Sequence, residues 1–201
     1  MKDDYQGAYV MALQMVIPKG ALWDKVYAQL VQRLKKDGMQ TGFFATEHIL
    51  PLLADNCDEK LAFDLLLDER CGGWMYQVKA GATTTWERWD ALRPDGTVNE
   101  SKMSGDNMVS FNHYSFGSVG EFYYRYILGI QPLEPGFKTI RIRPRIDSRI
   151  GHFSGRYKDI HVAYNGKTVH ISTPGETQII LPGGAVHHVH AGTYDFTVKE
   201  R

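Results

Sequence analysis

Several hallmarks of common protein classes are missing from this chain of 201 residues. It has two cysteines, Cys57 and Cys71, too few for a disulfide framework. It has no excess of either charge: 23 basic and 23 acidic residues give a formal net charge of zero. That balance argues against nucleic acid or an anionic membrane surface as the main partner. No apolar run approaches the roughly 20 residues of a spanning helix, so no membrane is expected as a partner. The opening MKDDYQGAYVMAL lacks the charged-then-apolar layout of a secretory signal, and the compartment stays open between cytoplasm and periplasm. Internal repeats and low-complexity tracts are absent. The glycines match no phosphate-binding loop, and no cofactor is expected.

What the chain does have is hydrophobic residues at 43% and aromatic residues at 12%. The first is ordinary for a packed domain. The second is somewhat rich, as in proteins that handle carbohydrate, though a large core would also account for it.

The first seventy residues read as helical. Tyr5, Ala8, Tyr9, Leu13 and Val16 recur at the helical period until Ile17-Pro18-Lys19-Gly20 breaks it. Leu22, Val26, Leu30 and Leu34 form the stripe of a second helix, with Lys35 and Lys36 in its last turn and Gly38 as its cap. A third helix follows in TGFFATEHILPLLADN. A fourth follows in DEKLAFDLLLDER, with Asp58 as a candidate N-cap. Short connectors between successive helices predict antiparallel hairpins. From Gly72 to about Gly117 the chain is rich in Gly, Thr, Asn, Ser and Pro and keeps no period, an irregular stretch long enough to be functional. GSVGEFYYRYILGI resumes a helix, with Val119, Phe122, Tyr123, Tyr126 and Ile127 expected inward. After QPLEPG the period becomes two. Strands are expected in FKTIRIRPRI, DIHVAY, KTVHIST, TQIILP, AVHHVH and TYDFTV, punctuated by Gly-containing turns. The expected fold is mainly α plus β: a helical part over residues 1–135 and an antiparallel β-sandwich over 136–201.

Chemistry concentrates in the irregular stretch. GATTTWERWD sets Glu87 between Trp86 and Trp89, with Arg88 beside it. A carboxylate can hold and activate a water. Aromatic neighbours desolvate such a group and offer flat faces to a sugar ring. The competing reading is a structural ion pair of Glu87 with Arg88 or Lys79. His113, in SFNHYSFGS, can bond sugar hydroxyls or simply satisfy its own loop. Asp90, Asp95, Glu100 and Asp106 read mostly as turn formers. His188 and His190, two apart on a strand, invite a metal reading together with His187, but no third ligand of suitable spacing accompanies the pair, so no metal is expected. Arg141, Arg143 and Arg145 read as the solvated face of a strand.

The ordered strings TGFFATEHILPLL, GGWMYQVKAGATTTWERWDA, SFNHYSFGSVGEFYYRYILGI and PGFKTIRIRPRI resemble the C-terminal part of bacterial α-L-rhamnosidases, glycoside hydrolase family 78. The resemblance runs from about residue 4 to the end and is weakest after residue 150. It implies the last helices of a catalytic (α/α)6 barrel followed by the sandwich. It implies inverting hydrolysis with the glutamate of the WER motif, Glu87, as general base. It implies sugar contact from the histidine of the NHY motif, His113, with Trp86 and Trp89 as substrate-side neighbours. The implied partner is a rhamnose-containing glycoside. The family's general-acid motif, rich in Asp, Arg and Glu and followed by Gly-Trp, has no counterpart here, so the chain alone is expected to be inactive. The chain then reads as a piece of a longer frame, a broken frame or a divergent stand-alone protein. Its uncovered helical faces then call for a homodimer or for the missing N-terminal half of the barrel. The alternative role is a non-catalytic module that binds carbohydrate or a partner chain. Another (α/α)6 glycosidase, such as an unsaturated glucuronyl hydrolase, fits the Glu87 and His113 strings less well.

Overall fold

The computed structural model describes residues 5–100 and 109–198. The chain divides into two compact units, Met1–Val119 and Gly120–Arg201.

The first unit is helical. Helix α1 (Gln6–Met11) widens into a π turn over Ala12–Val16. Then come α2 (Ala21–Asp37), α3 (Phe43–Asp55), α4 (Glu59–Leu66) and the short α5 (Trp74–Lys79). α1 packs on α2 and α3, and α3 packs on α4. α2 buries Trp23, Val26, Leu30 and Leu34 and stops where Gly38, at φ +68°, donates its N–H to the Leu34 carbonyl at 3.0 Å, a left-handed cap that favours glycine.

Two expected stripes are displaced. On α1, Tyr9 and Leu13 are buried, but Tyr5 and Val16 are exposed, and Gln6, Gly7 and Val10 are inside. A π turn, in which Ile17 N–H reaches back five residues to the Ala12 carbonyl at 2.8 Å, widens the helix at Val16; Tyr5 lies before the first turn, at the N-cap. On α2, Leu22 faces out and Trp23 takes the inward place, its indole N–H donating to the Leu13 carbonyl at 3.1 Å. Asp58 does sit at the N-cap of α4, but its carboxylate does not cap. It accepts from the Tyr27 hydroxyl at 2.7 Å. That bond, after burial itself, pushes the Tyr27 phenol up.

A 3-10 turn (Ser115–Ser118) runs into α6 (Val119–Phe122) and a second π turn over Tyr123–Ile127. Here Phe122, Tyr126 and Ile127 are buried as expected, whereas Val119 is only half-buried and Tyr123 is exposed. Leu128 N–H bonds the Tyr123 carbonyl five residues back at 2.8 Å, a second widened turn.

Among the described residues the second unit carries eight strands in two four-stranded sheets. One sheet has the order β1 (Ile130–Pro132), β2 (Ile140–Ile142), β6 (Thr177–Ile180), β7 (Val186–Val189). The other has the order β3 (Phe153–Tyr157), β4 (Ile160–Tyr164), β5 (Thr168–Thr173), β8 (Gly192–Thr197). Pairing is antiparallel except between β2 and β6, which run parallel with Ile142 opposite Ile179. Alternate residues of both sheets, among them Ile140, Ile142, Ile179, Val162, Val169 and Ile171, share one buried aliphatic core, as period-two strands of a sandwich must. Within the basic run, Arg143 is exposed and Arg141 bonds Gln178 at 3.0 Å. Arg145, expected in solvent, is buried with its guanidinium 5.1 Å from the centre of the Tyr126 ring, a cation–π contact that compensates for lost hydration.

Candidate functional site

The irregular segment is organised by two stretches that bond to each other. The Thr84 hydroxyl donates to the Phe111 carbonyl at 2.5 Å, and the Thr85 hydroxyl to the His113 carbonyl at 2.7 Å. His113 N–H returns to the Thr85 carbonyl at 2.8 Å, and Glu87 N–H donates to the Ser110 carbonyl at 2.9 Å. Ser110 N–H in turn donates to Glu87 Oε2 at 2.8 Å. The threonines before the WER motif therefore hold it against the NHY motif. Where no sheet or helix satisfies the backbone, hydroxyl side chains do so.

Glu87 lines a cleft of about 520 Å³. One wall is the link between α2 and α3, residues 37–43. The opposing residues are Cys71, Gly72, the run Glu87 to Asp90, and Phe116. The walls are tied together. Trp89, itself a wall residue, donates its indole N–H to the Thr41 carbonyl at 2.7 Å and stacks on Phe116 at 3.8 Å. The α2–α3 link is fixed by Gln6, which donates to the Gly38 carbonyl at 2.7 Å and accepts Gln40 N–H at 2.9 Å. Behind Cys71, Arg70 closes on the Asp68 carboxylate through its guanidinium and its N–H. The Arg70 hydrogen bond holds the Asp68 carboxyl below its ordinary value of 3.8. Gly73 is required there, because a Cβ would lie 2.6 Å from the Asp68 carbonyl oxygen.

The other residues singled out by sequence fall as follows. His113 stacks on Phe43, ring centres 4.6 Å apart, and Phe43 is itself a cleft residue. Its Nδ1 accepts a long bond of 3.4 Å from Ser115 N–H. Trp86 is buried away from solvent, edge-on to Phe111 and Tyr76. The ion-pair alternatives for Glu87 are engaged elsewhere: Arg88 with Asp90 at 3.0 Å, and Lys79 with Glu69. Asp90 also accepts from Asn99 at 2.5 Å. Asp95 accepts Thr97 N–H at 2.9 Å in a tight turn, and that turn is closed by the Leu92–Val98 bridge. Asp106 lies outside the described residues. His187 and His188 sit on β7, and His190 pairs with Glu176. Among the described residues no group of three His, Cys, Asp or Glu is placed to hold a metal ion.

Sequence reasoning missed Phe43 and Thr41. Both precede or open a helix whose apolar pattern gave them no distinction, and each meets its site partner across more than 45 residues of chain.

Helical hairpins carrying a loop-borne carboxylate, followed in sequence by a two-sheet sandwich, are the parts of a six-hairpin glycosidase. The model of the bacterial alpha-L-rhamnosidase 6 hairpin glycosidase domain matches residues 1–127, and that of the bacterial alpha-L-rhamnosidase C-terminal domain matches residues 129–186. The chain belongs to the bacterial alpha-L-rhamnosidase family. An alpha-L-rhamnosidase of Streptomyces avermitilis is 37% identical over 163 residues, covering 80% of this chain and 15% of that protein. One from Alteromonas sp. is 34% identical over 156 residues, covering 75% of this chain and 16% of that one. The chain thus spans about 15% of the length of the curated relatives it matches. The crystal structure of the Streptomyces avermitilis alpha-L-rhamnosidase complexed with L-rhamnose superposes with a TM-score of 0.84 at 30% identity, over 98% of this chain and 22% of that one. The native enzyme from Aspergillus terreus gives 0.83 at 27% identity, over 99% and 24%.

Proposed function

We propose that this chain supplies the water-activating side of an inverting α-L-rhamnoside hydrolysis. Glu87 is the general base, and His113 meets hydroxyls of the sugar. Trp89 gives the cleft an aromatic face, and Trp86 supports the motif from behind. The observation that carries the reading is the Glu87 carboxylate: it borders the cleft with one oxygen fixed by Ser110 N–H and with both nearby cations bound elsewhere. A carboxylate so held has a lone pair left to orient a water.

Inversion needs a second carboxyl, roughly 6.5–9.5 Å from the first, to protonate the leaving oxygen. Among the described residues the other cleft carboxylates are Asp37, paired with Arg33 at 3.8 Å, and Asp90, tied to Arg88 and Asn99. Both are held by neighbouring cations, Arg33 and Arg88. On this reading the proton donor comes from another part of the family's barrel, and the chain alone does not turn over substrate.

The test is an aryl α-L-rhamnoside assay on the purified chain. No hydrolysis above background is expected. Within a complete barrel carrying this segment, Glu87→Gln is expected to lower kcat by about 10²–10⁴-fold. An unchanged kcat there rules out Glu87 as the base. Turnover by the chain alone that Glu87→Gln abolishes shows instead that an acid lies within it.

The same reading includes a second surface. Met15, Val16 and Leu22 are each more than 60% exposed around the start of α2, apolar groups that a barrel neighbour or a second copy would cover. Concentration-dependent sedimentation at micromolar concentration is expected, and a strict monomer contradicts it.

A further inference from the structure

Helix α5 reaches three loops through its side chains. Trp74 donates its indole N–H to the Phe116 carbonyl at 2.9 Å, and Tyr76 donates its hydroxyl to the Leu92 carbonyl at 2.7 Å. Gln77 makes the third tie: its Oε1 accepts the Trp86 N–H at 3.1 Å. A backbone N–H can only donate, so the atom of the Gln77 amide that faces it is the oxygen. Both residues lie inside, Gln77 2% and Trp86 3% exposed.

That bond falls on the backbone that leads into Glu87. A trans peptide points its C=O and its N–H in opposite directions. On the Thr85–Trp86 peptide the carbonyl accepts His113 N–H at 2.8 Å, and the N–H meets Gln77 on the other side. On the next peptide Glu87 N–H donates to the Ser110 carbonyl at 2.9 Å. The two planes share the Trp86 Cα, so fixing both sets the direction in which the chain enters Glu87. Two of these three partners belong to the irregular stretch 110–113. Gln77 alone brings the hold of a helix. Without its oxygen the Thr85–Trp86 plane is held at the carbonyl and is free to pivot about the His113 bond.

Stability alone does not account for a glutamine at this place. Its Nε2 is buried with no partner among the described residues, and a buried unpaired amide is costly. A methionine of similar shape would remove that cost and strand the Trp86 N–H instead. The exchange is near neutral for folding, and its consequence falls on the motif.

We propose that Gln77 is a positioning residue for the hydrolysis: through Trp86 N–H it holds the Glu87 carboxylate where the attacking water is taken. The inference rests on Glu87 being the base. Small displacements of a reacting group are expensive, on the order of 10²-fold in rate for about 1 Å.

The test is kinetic, in a complete barrel carrying this segment, with an aryl α-L-rhamnoside. Gln77→Met is expected to lower kcat about tenfold, the worth of one hydrogen bond made in the transition state. KM is expected to stay within about twofold, because no sugar contact is removed. Combined with Glu87→Gln, the same substitution is expected to add no further loss, since a group that acts only through Glu87 has nothing left to act on. In the 201-residue chain the urea midpoint is expected to stay at the parent value while the Trp86 amide exchanges faster with solvent. Gln77→Glu, which keeps an acceptor of the same reach, is expected to retain a kcat near that of the parent. An unchanged kcat in Gln77→Met overturns the proposal. So does a full further loss in the Glu87→Gln background, which marks damage to the whole site, and so does a kcat loss that tracks a lowered urea midpoint in both Gln77 variants. The two readings fail separately. Glu87→Gln without effect removes the base itself, whereas Glu87→Gln with its full effect beside an unaltered Gln77→Met removes only the role of Gln77.

Discussion

The helical unit and the sandwich unit hold themselves together in different ways. In the sandwich, order comes from the backbone. Strands pair in register, alternate side chains point inward, and the buried core is mostly aliphatic. In the helical unit beyond α4, order comes from side chains that reach distant carbonyls. Trp74 donates to Phe116, Trp89 to Thr41, Thr84 to Phe111 and Thr85 to His113. An aliphatic core is stabilised in proportion to the area it buries, whereas each of these ties is specific and directional. The cleft is built where the second kind of order prevails. A loop-borne site can take any shape its ties allow, provided each tie is made.

The largest effect that separates the two regions is expected in the sandwich core. Ile142→Ala deletes a fully buried side chain facing both sheets and is expected to cost about 2–5 kcal/mol, read as a lower urea midpoint for the second unit. The cleft should be unaffected. Loss of rhamnose binding in a still-folded first unit would break the division drawn here.

Next comes Trp89→Phe, which keeps an aromatic ring on Phe116 but removes the indole N–H and leaves the buried Thr41 carbonyl only a long 3.4 Å bond from the Thr46 hydroxyl. About 1–3 kcal/mol of first-unit stability is expected to go, with a larger effect on the cleft than its distance from Glu87 alone would give. A neutral outcome would mean that the walls are held by packing alone. Smaller again is Thr85→Val, which keeps volume and β-branching but deletes the hydroxyl on the His113 carbonyl. It is expected to cost about 1 kcal/mol. Faster hydrogen exchange at His113 and Ser110 than in the parent would place the loss in this ladder.

The same contrast explains what could be read beforehand. Strands β4, β5, β6 and β8 were visible because alternation is a local signal: Ile160, Val162 and Tyr164 point in while His161 and Ala163 do not. β1 and β3 were not, since Ile130–Pro132 is too short for a period and β3 is half exposed on both faces. Helix α5 passed as irregular chain because six residues between glycines carry no period. Val16 and Tyr123, both expected inward, lie exposed within the two π turns, wider turns that a strict 3.6 period has no room for. At the site, residue identity drew attention to Glu87 and His113. The ladder joining their motifs, and the stacking of Phe43 on His113, span gaps of 23 to 70 residues that no local pattern encodes.

The central claim is that the two motif loops form one sugar-binding surface around Glu87. Titration of the isotope-labelled chain with L-rhamnose tests it most directly. Shifts are expected at the Trp89 indole N–H, the Ser110 amide and the His113 ring, all saturating with one binding constant and all weakened together by His113→Ala. Shifts confined to residues 120–198, or none at the Ser110 amide while rhamnose binds elsewhere, would contradict it.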